Sequence, residues 1–317
     1  MFVAMYVKKE AVLSSQIEGI QCTLDEVLQH ERDESGLRTK AIDEVVNYVE
    51  AMNYGIKRLE TLPLSLRLIR EIHGHLLQGV RGENKDPGEF RRTQNWIGPQ
   101  GCTLATATFV PPPVPDMTES LGNFESFLHD RTSLPLIVQC ALIHVQFETI
   151  HPFLDGNGRI GRLVISLLLH ERSVLKRPLL YISLFLKENR AEYYDRLMDV
   201  RKNGNWEGWI KFFLTGILQV SNEAAITAQQ TVRFREDAMI RARVFGKNEL
   251  ALIDLLFEHP IIDIRTAERL LDCTYVTAST ALQNLVKEGY VTEMTGQKRN
   301  RLFKFKGYLD LFESMTP

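Results

Sequence analysis

The sequence predicts a mainly α-helical protein: a helical bundle with one small β-hairpin, followed by a C-terminal winged helix domain. Three observations predict this fold class. Apolar residues recur at three- and four-residue steps over most of the chain, which is the period of an amphipathic helix. Residues 90–115 lack that period and contain turn signals between short apolar runs. From residue 246 onward, three helical segments precede an alternating strand pair, as in a winged helix-turn-helix.

The composition is that of an ordinary globular protein. The chain has 317 residues, of which 44% are hydrophobic and 25% charged, with a net charge of −2. That length suits two or three domains, and the near-neutral charge gives no overall signature of nucleic-acid binding. The sequence contains no membrane span or secretory signal, and its four cysteines form no CxxC pair. We therefore expect a cytoplasmic protein with reduced thiols and no membrane partner.

The helices are predicted in order from their periodicity. An N-terminal amphipathic helix covers about residues 11–29. The later predicted helices cover about residues 37–60, 64–78, 117–129, 135–149, 158–171, 188–202 and 206–221.

The hairpin is predicted from the sequence FRRTQNWIGPQGCTLATATFVPPPVP. Trp96 and Ile97 precede a Gly-Pro-Gln-Gly turn, and Phe109 and Val110 precede a run of prolines that ends the second strand. The resulting domain organisation is an N-terminal helical region (1–60), a central domain (61–221), a connecting helix (222–245) and a winged helix-turn-helix domain (246–317).

The sequence of the C-terminal domain does not decide whether this domain binds nucleic acid. Residues 246–317 contain nine Lys and Arg against ten Asp and Glu, and the positive charge is concentrated in the predicted wing. These wing residues are Lys298, Arg299, Arg301, Lys304 and Lys306. The predicted recognition helix contains few basic residues that could contact phosphates. Its polar side chains that could contact bases are Thr277, Ser279, Thr280, Gln283 and Asn284. DNA binding and protein docking both remain open.

The strongest chemical signal is the segment HPFLDGNGRIGR, residues 151–162. Glycines at 156 and 158 allow a ligand to approach the main chain at the start of a helix, where the free amides and the dipole favour an anion. Arg159 and Arg162 are three residues apart, so both can face that anion. Asp155 is a hard oxygen ligand suited to Mg²⁺, and His151 can accept a proton. Together these residues predict a polyphosphate site with a metal ligand and a base.

The same segment resembles the signature of the Fic family, His-Pro-Phe-x-Asp/Glu-Gly-Asn-Gly/Lys-Arg-x-x-Arg, at every defined position. The preceding helix with His144, Phe147 and Glu148, and the hairpin ending in FVPPP, also resemble the family. The resemblance covers about residues 1–220 and implies a Fic-type helical bundle in which the hairpin acts as a flap. Some family members also carry a winged helix at the C terminus.

The resemblance implies transfer of AMP from ATP to a Ser, Thr or Tyr hydroxyl of a target protein. His151 would take the hydroxyl proton, and Asp155 would hold Mg²⁺, or alternatively Mn²⁺. Asn157 and the loop amides would bind the α-phosphate, Arg159 the β-phosphate and Arg162 the γ-phosphate. The full set of implied ATP contacts is Glu18, Thr106, Ala107, Thr108, Phe109, His151, Asp155, Gly156, Asn157, Gly158, Arg159, Gly161, Arg162, Tyr193 and Tyr194.

A second family motif lies near the N terminus. SSQIEG matches the inhibitory pattern Ser/Thr-x-x-x-Glu-Gly/Asn, with Ser14, Glu18 and Gly19 at the defined positions. On its residues alone this stretch is the polar face of an amphipathic helix. The resemblance implies that Glu18 pairs with Arg162, occupies the γ-phosphate position and keeps basal activity low.

Two other functions remain open at this point. One is a DNA-binding regulator that uses the Fic fold as a nucleotide sensor, although a sensor has no need of His151. The other is removal of AMP from modified targets, in which Glu18 would position water. The resemblance also implies a homodimer, because helical Fic proteins often form one.

Overall fold

The computed structural model of the chain describes residues 2–30, 39–99, 101–175, 180–296 and 300–313. Predictions that fall on Gln100, Lys298 and Arg299, and on the first two residues of the predicted helix 37–60, lie outside these residues. The described helices in the first two thirds of the chain are α1 Phe2–Ile17, α2 Leu24–His30, α3 Lys40–Arg58, α4 Leu66–Leu76, α5 Val114–His129, α6 Leu136–Ile150, α7 Asn157–Glu171, α8 Ile182–Glu188 and α9 Arg190–Asn203. The last third contains α10 Trp206–Ala242, α11 Lys247–Glu258, β1 Ile261–Asp263, α12 Ile264–Leu271, α13 Tyr275–Lys287, β2 Thr292–Glu293, β3 Leu302–Lys304 and α14 Lys306–Glu313.

The described residues form two compact units. One consists of Val7–Cys22 and Arg38–Ser221, and the other of Met1–Tyr6, Thr23–Leu37 and Asn222–Pro317. We call them the catalytic unit and the C-terminal unit. The N-terminal region is thus divided between the two units. No described helix is long and apolar enough to cross a membrane.

Helix α7 is the centre of the catalytic unit. Its side chains from Ile160 to Leu169 are buried around the whole circumference, as expected for a core helix. Helices α3, α4 and α6 pack against it, and α5 and α9 pack against α6. Side-chain caps fix where α3 and α4 begin, because Thr39 accepts from the Ile42 amide and Ser65 from the Leu68 amide. This packing fixes the N terminus of α7 in the unit.

Three predicted elements differ from the structure. The predicted helix 11–29 is interrupted, because α1 ends at Ile17 and Gly19 adopts a left-handed φ of 83° in the turn before α2. The predicted helices 206–221 and 222–245 are one continuous helix, α10, since no proline or glycine separates them. The strand pairing of the predicted hairpin is shorter than expected. Among the described residues it consists of an isolated bridge between Ile97 and Phe109, and a 3₁₀ turn follows at Leu104–Thr106 within the connection.

The C-terminal unit contains the predicted three helices and strand pair, with β1 and α14 in addition. The three strands form an antiparallel sheet in the order β1-β3-β2, with Ile262 opposite Phe303. An aromatic cluster fills its core and includes Phe234, Phe257, Phe305, Tyr308 and Phe312. Asp263 and Thr274 cap α12 and α13 through their side chains.

Candidate active site

Residues 151–156 form a sharp turn between α6 and α7. His151 ends α6 in the left-handed conformation with φ 49° and ψ 60°, and its amide donates to the Phe147 carbonyl at 2.9 Å. Gly156, with φ 76°, precedes the first residue of α7. A left-handed histidine is uncommon and is retained only where its surroundings fix it. The turn places the free amides of the α7 N terminus beside His151, so an anion bound there lies next to a base.

Phe153, His73 and Asn157 hold the turn from its buried side. Asn157 Oδ1 accepts from the Phe153 amide at 2.9 Å, and its Nδ2 donates to the Phe153 carbonyl at 2.8 Å. His73 stacks on the Phe153 ring with 3.7 Å between centroids. The side-chain amide of Asn157, predicted as a phosphate ligand, is thus engaged with the main chain of the turn, and its contact with nucleotide stays a prediction.

His73 is a structural histidine that the sequence analysis missed. The Gly88 amide donates to its Nδ1 at 2.8 Å, so Nε2 carries the proton and donates to the Asp155 carbonyl at 3.1 Å. Burial lowers the pKa of His73 to about 4, so the ring is neutral at pH 7. A histidine within an amphipathic helix such as α4 gives no sequence signal of this role.

Arg91 and Asn95 hold the same turn from the flap side. Arg91 is buried and donates to the carbonyls of His151 at 3.0 Å, Thr93 at 3.3 Å and Pro112 at 2.5 Å. Asn95 Nδ2 donates to the His151 carbonyl at 3.2 Å and to the Phe153 carbonyl at 2.9 Å. Three of these hydrogen bonds, two to the His151 carbonyl and one to the Phe153 carbonyl, thus fix the backbone of the turn to the base of the flap.

Asp155 is the predicted metal ligand. Its Oδ1 accepts from the Gly156 amide at 2.6 Å and lies 3.6 Å from Arg159 Nη2. The side chain is partly exposed beside the α7 N terminus. Among the described residues, no group of three or more His, Cys, Asp or Glu side chains is placed to hold a metal ion. A single partly exposed carboxylate is an oxygen ligand of the kind that Mg²⁺ takes, and metal binding by Asp155 stays a prediction.

The two arginines of the motif are both buried and both paired with carboxylates. Arg159 Nη1 donates to Glu44 on α3 at 3.0 Å. Arg162 Nη2 donates to Glu18 Oε1 at 2.8 Å. Glu44 was not predicted, because its position in the regular amphipathic pattern of α3 resembles that of any exposed glutamate. Burial raises the pKa of Glu44 although Arg159 and Arg81 oppose that shift.

The predicted inhibitory residues converge on Arg162. Ser14 accepts twice from this guanidinium, through Oγ from Nε at 2.8 Å and through its carbonyl from Nη2 at 2.9 Å. Burial alone would raise the pKa of Glu18, but the charge of Arg162 and its hydrogen bond outweigh that effect and hold the pKa below its ordinary value. Gly19 provides the left-handed turn that follows Glu18. At neutral pH the pair is therefore ionised on both sides.

Two glycines of α7 make room for carboxylates. A Cβ atom on Gly158 would lie 2.2 Å from Glu18 Oε1, which shows how closely this carboxylate covers the first turn of α7. A Cβ atom on Gly161 would lie 2.8 Å from Glu148 Oε1. Gly161 was predicted as a nucleotide contact, and in the structure it borders Glu148.

His151 is mostly buried, with 18% of its side chain exposed. Burial, reinforced by the positive charge of Arg201, lowers the pKa of His151 to about 4. The imidazole is therefore neutral at pH 7 and able to accept a proton. Its Nδ1 lies 4.0 Å from Glu148 Oε2.

The flap and the tyrosine pair complete the surroundings. Phe109 packs under the guanidinium of Arg201 at 3.9 Å, which joins the flap to α9. Thr106, Ala107 and Thr108 lie at the flap tip, where Thr106 Oγ1 accepts from the Thr103 amide at 2.9 Å.

Tyr193 and Tyr194 differ in exposure. Tyr193 is buried and its hydroxyl contacts His144 Nε2 at 2.9 Å, whereas Tyr194 is 38% exposed. The two ring centroids lie 5.0 Å apart. Tyr194 is therefore the more accessible member of the pair, and contact of either ring with a nucleotide stays a prediction.

Comparison with known proteins gives two family matches within the first 169 residues of the chain. The sequence model of the Fic/DOC family matches residues 63–169, and that of the Fic/DOC family N-terminal region matches residues 1–57. The chain is 30% identical to protein adenylyltransferase Fic of Drosophila grimshawi over 65% of its length, and 28% identical to a probable protein adenylyltransferase of Aquifex aeolicus over 55%. It spans 41% and 51% of those two proteins.

A solved structure of a Fic family protein from Desulfovibrio desulfuricans has the same fold. It superposes with a TM-score of 0.61, covering 96% of this chain and 87% of that one at 19% identity.

Proposed function

Because the chain belongs to the Fic/DOC family, we propose that it is a protein adenylyltransferase, autoinhibited by Glu18. It transfers AMP from ATP to a Ser, Thr or Tyr hydroxyl of a target protein, or of the chain itself. The observation that carries the proposal is the pairing of Glu18 with Arg162 at 2.8 Å, next to a neutral His151 and the free amides of α7. The names of the relatives support the same reaction.

The proposed reaction is an in-line displacement at the α-phosphorus of ATP. The target oxygen forms a bond to phosphorus, the bond from phosphorus to the bridging oxygen of pyrophosphate breaks, and His151 accepts the hydroxyl proton. The amides at the α7 N terminus stabilise the negative charge on the α-phosphate. A Mg²⁺ ion on Asp155 would neutralise phosphate charge when bound. Positioning and charge stabilisation supply most of the catalysis in such transfers.

Autoinhibition follows from competition for Arg162. While Glu18 holds this guanidinium, the terminal phosphate has lost its partner, and the carboxylate repels the phosphate charge. A charge-assisted hydrogen bond is worth roughly 1.5–3 kcal/mol, so its removal should increase transfer roughly ten- to a hundredfold.

The test uses ATP labelled at the α-phosphate, with Mg²⁺, and follows label on the chain and on proteins of a cell lysate. We expect little labelling by the native chain, strong labelling by Glu18→Gly and none by Glu18→Gly with His151→Ala. Glu207→Gly is the matched control, because it removes an exposed ion pair with Lys211 far along the sequence. No label with Glu18→Gly would refute the transferase. Equal labelling by the native and Glu18→Gly chains would refute autoinhibition.

The remaining partner predictions are not needed for this reaction. The homodimer, and contact of the C-terminal unit with DNA or protein, stay predictions. In the C-terminal unit, Lys304 pairs with Asp25 at 2.7 Å and with Glu313 at 2.9 Å, and Arg301 lies 3.7 Å from Glu293. These pairings reduce the positive charge that two of the predicted wing residues present, and we propose no DNA-binding function.

A further inference from the structure

We propose that Glu148 is a positioning residue for His151, whose carboxylate pairs with the imidazolium that forms when His151 takes the target proton. This inference rests on the proposed transferase function and concerns the same site. It assigns a role to a buried carboxyl group that the reaction as described above does not use.

The geometry of the two side chains carries the proposal. Glu148 and His151 lie three residues apart at the end of α6, and Glu148 Oε2 is 4.0 Å from His151 Nδ1. Only 8% of the Glu148 side chain is exposed. Among the described residues, neither Glu148 Oε1 nor His151 Nδ1 has a hydrogen-bond partner, although both atoms are buried. Such unsatisfied polar groups destabilise a fold and therefore concentrate at functional sites.

The surrounding chain is arranged to keep the carboxyl in this position. A Cβ atom on Gly161 would lie 2.8 Å from Glu148 Oε1, so a larger residue at 161 would displace the carboxyl. Arg201 Nη2 donates to the Glu148 carbonyl at 2.8 Å, and Arg201 Nε donates to Thr149 Oγ1 at 3.2 Å. The end of α6 is thus fixed from α9, while Arg91 fixes the His151 carbonyl.

The orientation assigns separate roles to the two ring nitrogens. Nδ1 faces Glu148, so Nε2 is the nitrogen that takes the proton from the target hydroxyl. As that proton arrives, the ring becomes positively charged with protons on both nitrogens, and the protonated Nδ1 faces the Glu148 carboxylate, whose negative charge stabilises the imidazolium. The bond from phosphorus to pyrophosphate breaks in the same step. Glu148 compensates the positive charge that the His151 ring gains in that step. The arrangement follows the logic of a carboxylate that orients a catalytic histidine.

The charged groups around the pair give the sign of its pH dependence. Glu148 faces Arg162 on α7 and Arg201 on α9, which favour the carboxylate, and Glu18, which opposes it. Burial is the largest effect and raises the pKa of Glu148 to about 7. His151 also faces Arg201, Glu18 and Arg91, and its pKa lies at about 4. As pH rises through neutrality, Glu148 therefore becomes charged while His151 is already neutral, and the transfer rate should rise.

The experiment compares three chains that all carry Glu18→Gly: one with no further change, one with Glu148→Gln and one with Glu192→Gln. The last is the matched control, since Glu192 is an exposed residue of α9. Transfer from α-labelled ATP with Mg²⁺ to the chain or lysate proteins is followed from pH 5.5 to 9. We expect Glu148→Gln to lower kcat on the order of a hundredfold, to leave KM for ATP nearly unchanged and to abolish the rise in rate with pH. Because the charge of Glu18 is absent from all three chains, that rise should lie below pH 7. Glu148→Asp should restore part of that rise, and circular dichroism checks that each chain is folded.

The outcomes separate this inference from the proposed function. If Glu18→Gly alone transfers AMP and Glu148→Gln leaves both kcat and the pH profile unchanged, the role of Glu148 is wrong and the transferase stands. A raised KM for ATP with unchanged kcat would also overturn the role, since Glu148 would then serve nucleotide binding. If Glu18→Gly itself transfers nothing, the proposed function fails and this inference fails with it.

Discussion

The surroundings of residues 151–162 and the core of the C-terminal unit bury different kinds of side chain. Around the loop, charged side chains are buried and several polar atoms have no hydrogen-bond partner among the described residues, including Arg159 Nε and Glu148 Oε1. In the C-terminal unit, packed aromatic rings fill the core, and Lys304 pairs with two carboxylates at its edge. Buried charge costs free energy, whereas buried aromatic surface stabilises the fold. The comparison teaches that the first region gives up stability to keep charged groups buried, whereas the second gains stability from apolar burial.

The buried charge around the loop extends beyond the motif. Glu10 on α1 accepts hydrogen bonds from Ser183 and, at 3.3 Å, from the Tyr48 hydroxyl, while its Oε2 has no partner among the described residues. Burial raises the pKa of Glu10 to about 7, although the charge of Arg162 opposes the shift. This carboxyl is therefore a second group whose charge state changes near neutral pH.

The largest expected effect tests the aromatic core. Phe257 is buried, and its ring centroid lies 5.1 Å from that of Phe305 and 4.9 Å from that of Tyr308. Phe257→Ala should lower the free energy of unfolding of the C-terminal unit by about 3–5 kcal/mol. Urea unfolding followed by circular dichroism measures this loss.

The three tryptophans make this test specific, because Trp96, Trp206 and Trp209 all belong to the catalytic unit. Their fluorescence transition should keep its midpoint in Phe257→Ala. Val276→Ala, at an exposed site, is the matched control and should change stability by less than about 0.5 kcal/mol. A fluorescence midpoint that moves with the circular dichroism signal would break the comparison, because the two regions would then unfold together.

The next effect tests the cost of buried charge through pH. In the folded chain the Glu10 carboxyl has a pKa of about 7, and in the unfolded chain about 4.5. Between these values the unfolded state has already lost the proton, so stability falls as pH rises from 4.5 to 7. Glu10→Gln removes this loss. The free energy of unfolding of Glu10→Gln minus that of the native chain should therefore be larger at pH 8 than at pH 4.5 by about 3 kcal/mol.

Tryptophan fluorescence in urea at the two pH values measures the Glu10 effect in the catalytic unit. Glu192→Gln serves as the control, because its side chain is about half exposed and should show almost no such difference. A difference between native and Glu10→Gln chains that is the same at both pH values would contradict the buried-charge interpretation.

The smallest effect tests charge in the C-terminal unit. Lys304 is 15% exposed and lies 2.7 Å from Asp25 and 2.9 Å from Glu313. Lys304→Met keeps most of the apolar stem, so we expect a loss of about 1 kcal/mol or less. Circular dichroism in urea at low and high salt measures it, and the loss should shrink with added salt. A loss above 3 kcal/mol would show that this pair behaves as a buried charge network and would weaken the contrast between the two regions.

The sequence by itself determined the helical fold class and the composition of the site. Apolar periodicity located most helices, because an amphipathic helix needs apolar residues at a fixed local spacing. The twelve residues HPFLDGNGRIGR are consecutive, so the chemical groups of the loop can be identified without a structure. The pairing of Glu18 with Arg162 was also anticipated, through the resemblance to a family motif, and the structure has it at 2.8 Å. The hydrogen bond from Arg162 Nε to Ser14 Oγ, also 2.8 Å long, was not anticipated.

Only the tertiary structure decided which distant side chains surround that loop. Glu44, His73 and Arg91 lie in ordinary helical or loop sequence, and no local pattern distinguishes them from solvent-exposed residues. Packing brings Glu44 to Arg159, His73 to the Asp155 carbonyl and Arg91 to the His151 carbonyl. The tertiary fold also buries Glu10 and Glu148, and this burial raises their pKa values. Desolvation depends on everything that packs around a group, so its effect on charge can be read only from the folded chain.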